Sequence, residues 1–498
     1  MNPRKPIVAL LVVGLVVVLA LSFVPYSLLL SAKQQMVAVI TRSDARDLTS
    51  EVKPLAPATP AFDVAAWYAS QEEEPEKHGV LIETLDGKSV LASHNADTTF
   101  NPASLIKLAT SLVALKRLGA NYRFETRVYA EGTKDEKGTL QGKIYVVGND
   151  PIFGDVAGAL IARELRARGI NDATEGVFVS PEFCFNYSES PEDSAQRLVK
   201  VMDFDKAGAA QNKRAAKEQK EKKEKKAKEA DAGKRKKKDA REKDRKGTDK
   251  KSAGENANGR TDVAQGTEAE QEEIDKQNDT AGQKVGPHVA QTPPDGKPLF
   301  ILRSYPLREV LLYMNAHSSN FVAERLAALF GGAQGVERFL VEELRLPVEQ
   351  VTIARASGRE HNRMTPRGLL TTIRALHAEA ARQGMKLEDI MPVASDDAGT
   401  LRRRLAGTPL EGSLVGKTGT LTHEVDGGMA SLAGIVYTQK AGLLVFAILD
   451  QGSRISENRE LEDQLLNQVI ISQDTPINLK RDERRKIFTA TSLEISDE

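Results

Sequence analysis

The sequence predicts an α+β fold, an antiparallel sheet packed with helices, carrying an inserted small α/β domain and a charged low-complexity insertion. Three observations point to it. "HGVLIETLDGKSVLASHN" is two short apolar runs around Asp86-Gly87, a dipeptide that favours tight hairpins. Near the other end, "SLVGKTGTL", "GMASLAGIVYT" and "AGLLVFAIL" are apolar strand candidates joined by short links. Between them, "NPASLIKLATSLVALKRLG" and "YPLREVLLYMNAHSSNFVAERLAALFGG" have helical apolar spacing. Five strands backed by such helices form a layered α+β arrangement.

Taken in order, the chain opens with Arg4 and Lys5 before an apolar run from Ile7 through Val24 to Leu30. About 18 to 24 apolar residues suffice to cross a bilayer core, and the positive flank predicts that everything after it is exported. Leu30-Ser31-Ala32 is a tolerable cleavage site, but the run exceeds most signal peptides, which favours a retained anchor. Residues 33–78 are polar, with Pro54, Pro57, Pro60, Pro75 and an acidic cluster at Glu72 to Glu74, and read as a spacer. The first hairpin follows. The helix after it has Asn101 as a cap, Pro102 at a first helical position and Leu105, Leu108, Leu112 and Leu115 as a core-facing stripe ending at Gly119.

Strand-like runs then lie at Phe124 to Tyr129, Lys143 to Val147 and Gly176 to Val179, with a helix from about Val156 to Arg168, which predicts the α/β insertion. From Lys206 to Lys251 there are 21 Lys and Arg against 9 Asp and Glu, a net +12, and Ala is the sole apolar type. Such a segment cannot bury enough surface to fold on a core, although Glu218/Lys222, Glu221/Lys225 and Glu224/Lys228 are favourable i,i+4 pairs. An acidic stretch from Glu268 to Glu273 follows, and an unstructured reading extends to Asp295. A solvated linker is one reading; a basic arm for an anionic polymer or lipid surface is the other. No aromatics interleave the lysines, which argues against specific nucleic-acid recognition. Order resumes near Leu299 with a helix from Pro306 to about Asn315, a polar break and a helix ending at Gly331-Gly332. The tail beyond about Asp474 is charged and carries no readable pattern.

Bulk composition narrows the chemistry. With 498 residues, 40% apolar content and a formal net charge of zero, the chain can hold two or three ordinary cores. A single cysteine, Cys184, excludes an internal disulfide and reads as a small buried hydrophobe between Phe183 and Phe185. The seven histidines are scattered with no metal-ligand spacing, so neither a metal nor another cofactor is expected.

Residues three apart on a helix are neighbours, so the Ser104 hydroxyl and the Lys107 amine can meet beside the apolar stripe. In the first turn, Ser104 also stands near free backbone N–H groups and the positive end of the helix dipole, which favour a developing oxyanion. Alone the pair is weak, because a serine there is more often a cap and a lysine one turn later more often a solvated charge. Two further elements follow in order: Ser318-Ser319-Asn320 in the break between helices, and Lys417-Thr418-Gly419 in a strand candidate.

These three elements resemble the signature of the serine penicillin-interacting enzymes. More narrowly, "PASLIKL", "SYPLREVLLYMNAHSSNFVAERL", "SGREHNRMTP", "MPVASDDAGTLRRRL" and "GKTGTL" resemble the D-alanyl-D-alanine carboxypeptidase/endopeptidase family, low-molecular-mass penicillin-binding proteins of peptidase class S13. The resemblance runs from Gly79 to Ile470 except about Tyr187 to Asp295. It implies a penicilloyl-transferase/β-lactamase-like fold, peptidoglycan stem peptides as substrate and β-lactams as covalent inhibitors. With the anchor or uncleaved signal over 1–32 and the linker over 33–78 read from composition, the catalytic domain is expected over 79–120 plus 299–474. The α/β insertion would take 121–186, the charged insertion 187–295 and the tail 475–498.

By the same resemblance, Ser104 is the nucleophile and Lys107 the base, which must be neutral to act. Burial and a second cation, Lys417, would keep it so. Ser318 would relay a proton to the leaving amine, and Asn320 would hydrogen-bond the substrate amide or Lys107. Lys417 and Thr418 would hold the terminal carboxylate, Gly419 would allow close approach of the substrate, and the backbone N–H groups of Ser104 and Thr420 would form the oxyanion hole. The segment Arg355-Ala-Ser357-Gly358-Arg359-Glu360-His361-Asn362 departs from the family's usual Asp-Gly-Ser-Gly-Leu-Ser-Arg type, lacking its leading acid and its Leu. A β-lactamase is a rival reading, but no Glu-x-x-Leu-Asn segment lies between Asn320 and Lys417. A non-catalytic scaffold binding anionic wall polymer is the other, and an activated serine would be of no use to it.

Overall fold

The computed structural model describes residues 62–202, 288–290, 295–479 and 487–497. The apolar run over 7–30 and the lysine-rich segment over 206–251 lie outside these residues. Along the chain the described helices are α1 (Val64–Ser70), α2 (Ile106–Leu118), α3 (Asp155–Ala167), α4 (Pro191–Met202), α5 (Leu307–His317), α6 (Asn320–Ala328), α7 (Gly332–Glu342), α8 (Pro366–Arg382) and α9 (Ile455–Gln473). The strands begin with β1 (His78–Thr84), β2 (Val90–His94), β3 (Glu125–Lys134), β4 (Thr139–Val147), β5 (Asp172–Ala173), β6 (Gly176–Val179) and β7 (His288–Val289). They continue with β8 (Phe300–Arg303), β9 (Val351–Thr352), β10 (Arg363–Met364), β11 (Leu414–Leu421), β12 (Met429–Tyr437), β13 (Leu443–Gln451) and β14 (Glu494–Ser496).

The five expected strands form one antiparallel sheet in the order β11-β12-β13-β1-β2. It is a middle layer. Because side chains alternate along a strand, Leu81, Ala433, Ile435, Val445 and Ala447 join the core containing α2 and α8. Val80, Ile82, Leu432, Phe446 and Ile448 join the opposite core with α1 and α9. Covering on both sides explains why these strands read as continuous apolar runs.

The stripe assigned to α2 understates its burial: every residue from Ile106 to Leu115 is buried, Lys107 included. Its start also differs from a simple cap. Ala103–Leu105 is a 3-10 turn, and the Asn101 side chain accepts from the Ala103 N–H at 3.1 Å. Gly119, at φ 88°, ends the helix as expected.

Three segments for which the sequence predicts no element contain ordered ones. Within 33–78, α1 buries Trp67 and Tyr68, whose ring stacks on His78 at 3.7 Å. Within 187–295, α4 buries Ser194, Ala195 and Leu198 against α3, an apolar face too short to stand out from its charged surroundings. Within 475–498, β14 pairs with β8. The second sheet runs β14-β8-β3-β4-β6-β7, with β5 beside β4. Its strands therefore come from well outside 121–186, because β3 finds its second partner in β8. Among the described residues, no helix is long and apolar enough to cross a membrane, and no group of three or more His, Cys, Asp or Glu could hold a metal ion.

Candidate active site

The turn before α2 is clamped from three sides. Asn101 donates its amide to Asp426 Oδ2 at 2.6 Å and to the Glu360 carbonyl at 2.7 Å. Ala103 sits at φ 50°, in the left-handed region that non-glycine residues rarely adopt. Beside it, Gly358 has φ 87°, and a Cβ there would lie 2.0 Å from the Ala103 carbonyl oxygen and 2.8 Å from Ser104 Cα. On the third side a Cβ at Gly419 would lie 2.1 Å from Ser431 Oγ and 2.8 Å from the Pro102 carbonyl oxygen. The glycine of the third motif thus admits the protein's own turn; Ser431 Oγ, donating to the Pro102 carbonyl at 3.1 Å, ties that turn to β12.

Ser104 and Lys107 meet as their spacing requires. Lys107 Nζ lies 2.9 Å from Ser104 Oγ and 2.8 Å from Asn320 Oδ1, and it also donates to the Ser357 carbonyl. Three acceptors around one nitrogen fix its position although the side chain is 0% exposed. Burial first pushes the Lys107 ammonium down to about 7; the Glu324 carboxylate partly offsets this, and the Arg359 cation reinforces it. Glu324 also braces the site mechanically. Its Oε1 accepts from the Ser357 N–H at 2.9 Å and holds the loop whose carbonyl receives Lys107.

The second element is a sharp corner between helices. α5 ends at Ser318, which is left-handed at φ 53°, and Ser319 caps α6 by accepting from the Val322 N–H. This corner turns Asn320 toward Lys107 and lets Ser318 Oγ accept from Lys417 Nζ at 2.9 Å. Lys417 on β11 is wholly buried and also donates to the Thr418 carbonyl at 2.6 Å. Burial and then the nearby Lys107 push its ammonium well below the ordinary lysine range. Two buried ammonium groups in one site disfavour the doubly charged state.

All three elements therefore converge. A cleft of about 490 Å³ is lined by Ser104, Ser318, Asn320, Thr418 and Thr420, together with Thr400, Arg403, Arg404 and Arg459. Lys417 is fully buried behind this lining, with one contact to Ser318 Oγ on the cleft wall and the other to the Thr418 carbonyl. Arg403 and Arg404 lie in "GTLRRRL", part of a stretch that carries the family resemblance but no assigned site role, and Arg459 lies on α9, where no local pattern distinguishes it from surface charges. Thr418 Oγ1 donates to Thr400 Oγ1 at 2.8 Å, and Arg459 donates to Thr420 Oγ1 at 2.7 Å.

A layered sheet with a serine and a lysine at the head of its buried helix is the architecture of the penicillin-binding peptidases, and solved structures share the fold. Bd3459, a predatory peptidoglycan endopeptidase from Bdellovibrio bacteriovorus, superposes with a TM-score of 0.56 at 19% identity, covering 84% of this chain and 98% of that one. Penicillin binding protein 4 from Haemophilus influenzae gives a TM-score of 0.53 at 15% identity, covering 81% of this chain and 99% of that one. A curated relative, penicillin-sensitive carboxypeptidase A of Dictyostelium discoideum, is 27% identical over 189 residues, a match that spans 34% of this chain and 35% of that protein. Over residues 62–192 and 198–469 the sequence matches the D-Ala-D-Ala carboxypeptidase 3 (S13) family, and the chain belongs to that family.

Proposed function

We propose that this protein is a serine DD-peptidase that removes terminal D-alanine from peptidoglycan stem peptides, or cleaves their cross-links, through an acyl-enzyme on Ser104. The observation that carries it is the buried Lys107 amine, 2.9 Å from Ser104 Oγ and held near a pKa of about 7. A neutral amine at that distance accepts the hydroxyl proton as Oγ attacks the carbonyl carbon of the penultimate D-alanine. The backbone N–H groups of Ser104 and Thr420 receive the oxyanion of the tetrahedral intermediate. When that intermediate collapses, the C–N bond breaks and the leaving amine takes a proton from Ser318 Oγ, which Lys417 Nζ holds at 2.9 Å; the proton that Lys107 took from Ser104 passes across the site to replace it, leaving Lys107 neutral again. Water, deprotonated by the neutral Lys107, then adds to the ester carbonyl, and the acyl C–O bond breaks as Ser104 Oγ takes the proton back from Lys107. Asn320 holds Lys107 in place throughout and presents its amide to the substrate.

β-Lactams enter the same path and stop at the ester, because the leaving nitrogen stays tethered to the acyl group. A penicillin G-acylated form of the Bdellovibrio endopeptidase supports this reading. Peptidoglycan lies outside the cytoplasmic membrane, so the site works there; anchoring by residues 7–30 rests on the apolar sequence alone.

The test is covalent labelling with a fluorescent penicillin, with Ser104→Ala as control, followed by mass analysis of muropeptide digests. Labelling lost in the variant, with D-alanine or cleaved cross-links released by the native chain, is the expected result. Labelling that survives Ser104→Ala, or rapid penicillin hydrolysis with no peptide product, overturns it.

A further inference from the structure

The loop before β11 touches both of the later motifs. A helix leaves its last carbonyls without intrahelical donors, and the Thr400 N–H supplies one at the end of α5, donating to the Ala316 carbonyl at 2.8 Å, two residues before Ser318. Gly399 permits that approach. It has φ 114°, and a Cβ there would lie 2.1 Å from the same carbonyl oxygen. On the other side, Thr400 Oγ1 accepts from Thr418 Oγ1 at 2.8 Å, next to Lys417. Two adjacent residues therefore span from the corner that carries Ser318 to the strand that carries Lys417. The loop is braced from behind by Arg404, whose guanidinium pairs with Glu462 at 2.7 Å and Asp463 at 2.6 Å, and by the Leu405 N–H, which donates to Asp463 Oδ2 at 3.2 Å. The corner it supports is itself constrained: Ser318 is left-handed at φ 53°, a conformation that a serine keeps only where its surroundings impose it.

We infer that Gly399 and Thr400 are positioning residues for proton delivery, keeping Ser318 Oγ on Lys417 Nζ where the leaving amine collects its proton. The inference rests on the DD-peptidase reading and deepens it. Ser318 and Lys417 meet at 2.9 Å across 99 residues of chain, so their separation is set by how α5 sits on β11, and the Gly399-Thr400 link ties those two elements directly. A small displacement of a proton donor costs rate steeply. The cost falls on one step. An amine leaves only with a proton on its nitrogen, whereas a thiolate leaves without one, so a misplaced Ser318 slows amide cleavage and spares a thioester. Thr400 lines the cleft and is exposed there, so a change in its side chain leaves the core untouched.

The experiment compares kcat/KM of the native chain on a stem peptide ending in D-Ala-D-Ala and on the analogue with a thioester in place of the scissile amide, and repeats it in Thr400→Val, Thr400→Ser and Gly399→Ala. Both substrates present the same acyl group and the same terminal carboxylate, so a change in substrate binding cancels in their ratio. Thr400→Val, which loses the tie to Thr418 but keeps the N–H, should lower kcat/KM for the peptide by about tenfold and for the thioester by no more than about twofold. Thr400→Ser should restore most of the peptide cleavage. Gly399→Ala, which pushes the loop off the Ala316 carbonyl, should show the larger selective loss, and the thioester turnover it retains reports that Ser104 and Lys107 are intact. Equal losses on the two substrates, or peptide cleavage unchanged in both Thr400→Val and Gly399→Ala, overturn the inference while leaving the peptidase reading in place. A native chain that turns over the thioester but releases no amine from the peptide instead rejects the DD-peptidase reading, and the positioning role falls with it.

Discussion

Asp426 and Asn101 meet at 2.6 Å between a carboxylate oxygen and a side-chain amide, and that contact joins the β11–β12 turn to the start of the Ser104 turn. Arg363 binds the same carboxylate through both terminal nitrogens at 2.8 and 3.0 Å, and His361 Nδ1 lies 3.1 Å away. Burial alone would raise the Asp426 pKa, but the hydrogen bonds from Arg363, Asn101 and His361 prevail and bring it to about 2. Asp426→Ala should slow penicillin acylation by about tenfold, since displacing a reactive group slightly costs rate steeply. The sign of the pH effect follows from the depressed pKa: the stabilisation is present above the usual carboxylate value and is lost as pH falls through about 2. Thermal unfolding of native and variant chains should therefore converge toward that pH, and a constant gap would remove the clamp's charge from the explanation.

Lys107 sets the pH profile of acylation. The reactive form is the neutral amine, so the rate should rise with pH through about 7 and level off above it. Glu324 raises this pKa, and Glu324→Gln should shift the rising limb to lower pH. Arg359 lowers it, and Arg359→Gln should shift the limb upward. Stopped-flow acylation across pH 5 to 9, about two units either side of the midpoint, reads both shifts; displacements in the same direction would contradict the electrostatic assignment.

Gly358→Ala probes the packing beside the nucleophile. A Cβ there would meet the Ala103 carbonyl at 2.0 Å on a backbone with φ 87°. The strain should cost about 1–3 kcal/mol and push the Ser104 turn away from Lys107. Penicillin labelling should fall by at least about tenfold while circular dichroism stays near native, a tenfold rate corresponding to about 1.4 kcal/mol. Full labelling would show that the turn tolerates the intrusion.

Asp150 is buried in the loop between β4 and α3, with its Oδ1 accepting from the Ile152 N–H at 3.0 Å. Burial, opposed only in part by that bond, raises its carboxyl to about 7. An acid whose folded pKa lies above its unfolded value stabilises the fold as the neutral form, so that stability is lost as pH rises from about 4 to about 7. Asp150→Asn should therefore unfold at higher urea than the native chain at pH 8, by an amount on the order of 4 kcal/mol at most, and the gap should close near pH 4. Equal midpoints at both pH values would exclude an ionised Asp150 as the source.

Much of the fold was legible because its signals are local. Asp86-Gly87 marks the hairpin, Gly119 stops α2, and the three apolar runs near the end become β11, β12 and β13. The segments missed were those in which a short apolar face sits among charges. Trp67 and Tyr68 of α1, and Ala195 and Leu198 of α4, are ordered by partners hundreds or tens of residues away, such as Asp450 for Tyr68. The same limit applies to the site. Ser104 and Lys107 were readable as a pair because helical geometry brings residues three apart together. Glu324, Arg359 and Arg459 were not, since nothing adjacent to them marks an electrostatic or donor role.

By itself, the sequence determined the helix bearing Ser104 and Lys107, the five-stranded sheet and the order of the three motifs, because periodicity and turn chemistry act over a few residues. Tertiary structure alone decided which groups tune and charge the cleft. Lys107 reaches Asn320 across 213 residues and Ser357 across 250, and it reaches them only because sheet and helices bury it at their junction. Burial is a property of that three-dimensional packing. It turns Lys107 into a base near neutrality, pushes the Lys417 ammonium well below the lysine range, and brings Arg403 and Arg459, distant in sequence from Ser104, to the same cleft.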